Sequence, residues 1–178
     1  EAAAAAAANP LDRDLLSRYA EGVIATTGCV GGEVQTRLRL GQYAQARTAA
    51  SEFQDIFGKE NFYCEIMDHG IDIERRTMSE LLTLARELGM TLVATNDLHY
   101  THSGDAEAHA ALLCVQSAST LDDPNRFKFD SQEFYLKSAS EMRSLFTDHP
   151  EAISNTLLIA EACEVSFEKR DLMPRFPV

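Results

Sequence analysis

Residues 62–95 read FYCEIMDHGIDIERRTMSELLTLARELGMTLVAT, and this stretch decides the fold. Its opening run, 62–67, is short, apolar and closed off by Asp68, His69 and Gly70, as expected of a buried strand. Over 72–88 the apolar residues Leu81, Leu84, Ala85 and Leu88 fall at spacings of three and four, which line one face of a helix, and Gly89 follows as its stop. TLVAT at 91–95 is then a further strand. Strand, helix and strand in that order make a crossover unit, which predicts parallel strands in one sheet, right-handed connections and helices outside.

Upstream, GVIAT at 22–26 predicts another buried strand, ending in the turn Thr27-Gly28-Cys29. The spacing of Ala46, Ala49, Ala50, Phe53, Ile56 and Phe57 predicts a helix over 44–57 with Gly58 as its stop, and 11–20 reads as a helix ahead of both. Downstream the character changes. A helix is expected over 105–116, an irregular loop over 120–130 around Asp123-Pro124-Asn125, and a short strand at 134–136. Two more helices, 139–146 and 151–163, follow, the second opening just after Pro150. The closing MPRFPV cannot continue a helix and reads as a domain exit. The fold class is α/β, without an internal repeat. EAAAAAAANP at 1–10 has neither amphipathic pattern nor a basic region before an apolar core, so it reads as a tag, a linker or a poorly defined segment rather than a signal peptide.

The chain has 178 residues, 45% of them hydrophobic, enough for one respectable core and too few for two large ones. No stretch approaches the roughly 20 apolar residues that span a bilayer; a soluble protein without a membrane partner is expected. Cys29, Cys64, Cys114 and Cys163 lie far apart without paired spacing. That argues against a disulfide framework or a zinc ribbon and for a reducing, cytoplasmic setting. A formal net charge of −12 repels a phosphate backbone, because non-specific affinity for nucleic acid comes mainly from Lys and Arg displacing counterions. A free-standing DNA-binding module is thereby disfavoured, although bound cations or a basic neighbouring domain reverse the local sign.

In parallel α/β architectures reactive groups collect where strands end. The three strand ends carry Gly28-Cys29-Val30-Gly31-Gly32-Glu33, then Glu65 with Asp68-His69-Gly70, then Asn96-Asp97-Leu98-His99-Tyr100. Cysteine, aspartate and histidine at one rim form a plausible divalent-metal ligand set: thiolate and imidazole suit zinc, carboxylate and imidazole also accept manganese or iron. On an extended backbone Asp97 and His99 point to the same side and can share one ion or bridge two. Each residue also has a plainer reading. A single cysteine at a strand end is more often packing, Asp97 can cap the next element, and a lone D-x-H can satisfy loop backbone groups. Cys64, Cys114 and Cys163 sit inside apolar patterns and are assigned to the core. His69 and His102 read as solvent-facing loop histidines, His149 as surface, and His109 as a hydrogen-bonded, partly buried helix residue.

The runs GVIATTGCVGGE (22–33), FYCEIMDHG (62–70), VATNDLHY (93–100), and LLCVQ with STLDDPNRFKF and EFYLKS together resemble, in order, the PHP domain of the bacterial replicative DNA polymerase III alpha subunit. The MDHG and ATTGC wording is similar to the actinobacterial type more than to its error-prone relative. The resemblance runs from about residue 11 to 178 and implies part of a distorted β/α barrel at 11–118 with a helical extension at 119–178 leading toward the polymerase. It further implies a DNA-directed DNA polymerase parent acting in DNA replication, with DNA and replisome subunits such as the sliding clamp as partners. In this family the PHP domain holds up to three divalent ions (zinc, manganese or magnesium) and can act as a 3′-to-5′ proofreading exonuclease. By the matching motifs, Cys29, Asp97 and His99 resemble metal ligands, Asp97 and His99 being the catalytic pair, while His69 sits beside the site and is not a ligand. The family's opening H-x-H motif and several further ligands are expected upstream of residue 11, so this fragment alone is expected to be inactive. Rival readings are a metal-free PHP scaffold that docks a separate proofreading subunit, a free-standing PHP phosphoesterase, and a cysteine hydrolase built on Cys29, His99 and Asp97.

Overall fold

The computed structural model describes residues 12–167 and 169. The expectations for 1–10, for a helix start at 11 and for MPRFPV at 173–178 lie outside the described residues. Helix α1 (Arg13–Tyr19) begins at Asp12, whose carboxylate accepts a hydrogen bond from the Leu15 amide at 2.8 Å. Then come β1 (Ala25–Thr26), α2 (Glu33–Arg39), α3 (Tyr43–Phe57), β2 (Phe62–Ile66), α4 (Asp72–Leu88) and β3 (Leu92–Ala94). A 3-10 turn, Ser103–Asp105, leads into α5 (Ala106–Ser117), and α6 (Ala139–Leu145) and α7 (Pro150–Ala162) complete the order.

The strands form one parallel sheet in the order β1-β2-β3, with Thr26 opposite Tyr63 and Ile66 opposite Ala94. Alternation along β2 sends Phe62, Cys64 and Ile66 into the core beneath α3 and α4 and leaves Glu65 on the opposite face. Helix α3 contributes Ala46, Ala49 and Ala50, whose small side chains let it lie close to its neighbours; α4 contributes Leu81, Leu84 and Ala85. Gly89 ends α4 in the left-handed region at φ 64°, where a residue with a side chain is strained. Phe146 and Ala152 belong to the same core, and Asn155 Nδ2 on α7 donates to the Leu92 carbonyl at 2.8 Å, so the outer edge of β3 is covered by α7. No helix among the described residues is long and apolar enough to cross a membrane.

The fold departs from the sequence expectations at four places: three expected features are corrected and one helix is added. The strand expected over 22–26 pairs only at Ala25–Thr26, because Val23 is 43% exposed and its amide closes a turn onto the Ala20 carbonyl. Helix α2 was not foreseen, although Gly32 at its N-cap, Glu33 in its first turn and Arg37 and Arg39 in its last complement the helix dipole. The strand expected at 134–136 is a single bridge between Tyr100 and Tyr135. Cys163 caps the end of α7 and is exposed rather than in the core, whereas Cys64 and Cys114 are buried as expected.

Candidate metal site

Parallel strands deliver their following loops to one edge of the sheet, so Cys29, His69 and the Asp97–His99 pair all leave the same rim. The first loop turns tightly: the Gly32 amide donates to the Cys29 carbonyl at 2.8 Å, and Gln35 Nε2 from α2 donates to the Gly28 carbonyl at 2.6 Å. A Cβ on Gly32 would stand 2.8 Å from the Thr27 carbonyl oxygen, so only glycine fits there. Cys29 is half-buried and free, and its thiol has no hydrogen-bond partner among the described residues. Cys64 differs sharply, since burial pushes its thiol up to about 12 and leaves it an inert core residue.

The third loop is held from two sides. Asp97 sits at φ 40°, a conformation aspartate tolerates better than most side chains. Asn96 Nδ2 donates to the carbonyls of Glu133 and Tyr135 at 2.9 and 2.7 Å, and the His99 amide donates to Phe134 O at 2.9 Å. Segment 133–136 therefore straps the loop down. His99 Nδ1 lies 2.6 Å from the Asp97 carbonyl oxygen. A carbonyl only accepts, so Nδ1 is the donor in this contact, and in the neutral ring Nε2 is then the nitrogen that carries the lone pair. Metal-binding histidines are held in this way, one nitrogen tied to a carbonyl and the other free to ligate. The ring is exposed, and the edges and faces of Phe129 and Phe134 meet it at 4.7 and 5.5 Å between centroids. The Asp97 carboxylate makes no hydrogen bond or ion pair among the described residues, leaving its oxygens available.

His69, expected in solvent, is instead 2% exposed. Its Nδ1 meets Glu74 Oε1 at 2.6 Å, its Nε2 meets the Asn96 carbonyl at 2.9 Å, and its ring stacks on Phe134 at 4.0 Å. The other Glu74 oxygen accepts from the His69 amide at 2.7 Å, and Ser131 Oγ donates to the His69 carbonyl at 2.7 Å. Burial opposes the imidazolium most strongly, but the hydrogen bonds to Glu74 and the Asn96 carbonyl, aided by the charges of Glu74 and Asp97, outweigh it and raise the pKa above its ordinary value. With both ring nitrogens engaged, His69 has no lone pair for a metal. It locks the start of the Asp97–His99 loop instead, a role visible in sequence only as a histidine five residues ahead of a glutamate in the first turn of a helix.

Among the described residues no group of three or more histidine, cysteine, aspartate or glutamate side chains is arranged to hold a metal ion. Strand order explains this. β2 lies between β1 and β3, so the strands that carry Cys29 and His99 are two spacings apart, about 9 to 10 Å. A single ion spans about 3.5 Å between sulfur and nitrogen donors in tetrahedral geometry, and at most about 4.4 Å. Between them, Glu65 accepts hydrogen bonds from Thr26 Oγ1 on one side and Thr95 Oγ1 on the other, a polar belt across all three strand ends that the sequence reading did not assign. Of the other histidines, His102 is exposed at the N-cap of the 3-10 turn and His149 is half-buried beside Glu151 at 3.5 Å. The half-buried ring of His109 lies 5.2 Å from that of His99, tilted by 56°; burial, and then the neighbouring His99, lower its pKa.

A model of the PHP domain matches residues 3–69, a stretch that includes Cys29 and His69 and ends before Asp97. Curated relatives extend the similarity over nearly the whole chain. The DNA polymerase III subunit alpha of Saccharopolyspora erythraea is 57% identical over 170 residues, 93% of this chain and 14% of that protein. The subunit of Mycobacterium tuberculosis is 51% identical over 172 residues, 94% of this chain and 14% of that protein. That of Treponema pallidum is 38% identical over 169 residues, again 94% and 14%. The chain thus spans about 14% of the length of the curated relatives it matches.

Proposed function

This chain belongs to the PHP-domain region of the bacterial DNA polymerase III alpha subunit family, and we propose that it supplies part of a divalent-metal site for 3′-to-5′ removal of mispaired ends by the parent polymerase. The observation that carries the reading is the His99 imidazole, tied at Nδ1 to the Asp97 carbonyl, with Nε2 and the nearby Asp97 carboxylate both without a partner among the described residues. Asp97 and His99 hold one ion from the β3 side of the rim, and Cys29 serves another from the β1 side, with the remaining ligands coming from stretches of the parent outside this chain. Bound divalent cations supply charge neutralisation and polarisation of the scissile phosphodiester. The chain's own residues orient and insulate: His69 and Asn96 hold the loop that presents Asp97, and Phe129 and Phe134 keep water from one flank of His99.

The three strands are read as the later part of a distorted barrel, with the Thr26–Glu65–Thr95 face directed to its interior. In the parent this region works in the cytoplasm on primer-template DNA alongside replisome subunits such as the sliding clamp. The polymerase chemistry itself belongs to parts of the parent beyond this chain. A second reading, a metal-free scaffold that docks a separate proofreading subunit, is favoured by the lack of a three-ligand group among the described residues. The two separate on one experiment. Full-length parent stripped of metal by a chelator is expected to lose mismatched-end removal and to regain it with added Zn²⁺ or Mn²⁺; removal undiminished by stripping contradicts the metal reading, and removal absent with and without added metal supports the scaffold instead.

A further inference from the structure

We propose that the cavity beside His99, between α5 and the loop that follows it, binds a mononucleotide, with the phosphate on Arg126 and Lys128 and the base against Phe129 and Tyr100. The cavity encloses about 410 Å³, within the range of small-ligand sites. Its walls invert the character of the chain. Acidic residues outnumber basic ones 28 to 16 overall, yet here Arg126 and Lys128 face a single carboxylate, Glu107. Arg126 Nη1 is buried without a hydrogen-bond partner among the described residues. A guanidinium nitrogen shut off from water and left unpaired is costly, and a phosphate oxygen is the acceptor that its planar fork fits best.

The aromatic component points to a nucleotide rather than a bare anion. Phe129 and Tyr100 both line the cavity, and sequence-tolerant stacking on such rings is how single-stranded nucleic acid is commonly held. His109 and Phe129 also touch His99, at 5.2 and 4.7 Å between ring centroids, so the cavity shares a wall with the candidate metal ligand. This inference rests on the exonuclease reading for its biological sense, since a terminal nucleotide seated here lies next to the residues proposed to hold the metal. Its chemistry stands on the cavity alone.

The test is site-specific cross-linking. Full-length parent is irradiated with 5-iodo-2′-deoxyuridine monophosphate, with and without excess inorganic phosphate, and the adduct is mapped by peptide mass spectrometry. An adduct within residues 100–132, competed by phosphate and reduced about tenfold or more by Arg126→Gln, is expected, because a charge-assisted hydrogen bond of this kind carries at least a factor of ten. Should Arg126→Gln melt early, Arg126→Lys and Lys128→Gln carry the test, each lowering the yield in a folded protein. An adduct only elsewhere, or a yield that none of these changes alters, overturns the proposal. The measurement needs neither bound metal nor nuclease activity. An Arg126-dependent adduct in a parent without metal-dependent exonuclease keeps the pocket and removes the exonuclease reading, and an active, metal-dependent parent without the adduct does the reverse.

Discussion

Asp97→Asn and His99→Ala, each made in the full-length parent, are expected to lower 3′-mismatch removal by at least about 10- to 100-fold while DNA synthesis stays near the parental rate. The size follows from metal-site energetics: loss of a group that merely supports a ligand costs about 10- to 100-fold, and loss of a ligand costs no less. Asparagine is the informative replacement at 97. It keeps the side-chain volume and tolerates the φ of 40°, so the charge goes without straining the turn. His99 is exposed, and its removal opens no core cavity. Metal bound to the native state also stabilises it, so both activities are compared on variants whose melting has been measured. Folded Asp97→Asn and His99→Ala proteins that still remove mismatched ends at the parental rate would show that these residues do not carry the chemistry.

His69→Ala is expected to be the most destabilising single change near the site, at about 3 to 5 kcal/mol, because it strands the Glu74 carboxylate in the interior. The side chains of the pair are 0% and 4% exposed, so solvent cannot take over the lost contact. Replacing His69 and Glu74 together by leucines should recover much of that loss, since an apolar pair of similar volume often equals a buried ion pair. The pH dependence has a definite sign. A histidine whose folded pKa is raised contributes stability that is fully present below its unfolded value near 6.5 and is lost as pH rises through the folded value. Hydrogen exchange at the amides of β2 and β3 in the parent, followed from pH 6 upward in steps of about one unit, reports both effects. Wild-type protection, corrected for intrinsic exchange, should decline along the series, and the His69→Ala profile should be flatter. A protected, pH-independent wild type would mean that His69 does not titrate in this range.

What the sequence revealed about the fold follows from where periodicity is strong. The bounds of α4 match the expected 72–88 because Leu81, Leu84 and Ala85 define one face and Gly89 ends it. Helix α2 escaped notice because seven residues hold only two buried apolar positions, Val34 and Leu38, beside a Gly-Gly pair that reads as loop. β1 looked longer than it is because GVIA is apolar whether or not its backbone finds a partner. In the site, residue identities were legible and their pairing was not. Cys29, Asp97 and His99 could be named from strand ends, but the strand order that sets β1 and β3 apart depends on tertiary pairing. Likewise no sequence rule distinguishes His69, with both nitrogens engaged, from His99, with only Nδ1 engaged among the described residues.

Anomalous scattering from crystals of the full-length protein grown with Zn²⁺ tests most directly the proposal that Cys29, Asp97 and His99 are metal ligands in the assembled parent. The expected result is a peak about 2.0 to 2.1 Å from His99 Nε2 with an Asp97 oxygen in the same shell, and a second peak about 2.3 Å from Cys29 Sγ. Ordered side chains at all three positions with no peak within reach of any of them would contradict it.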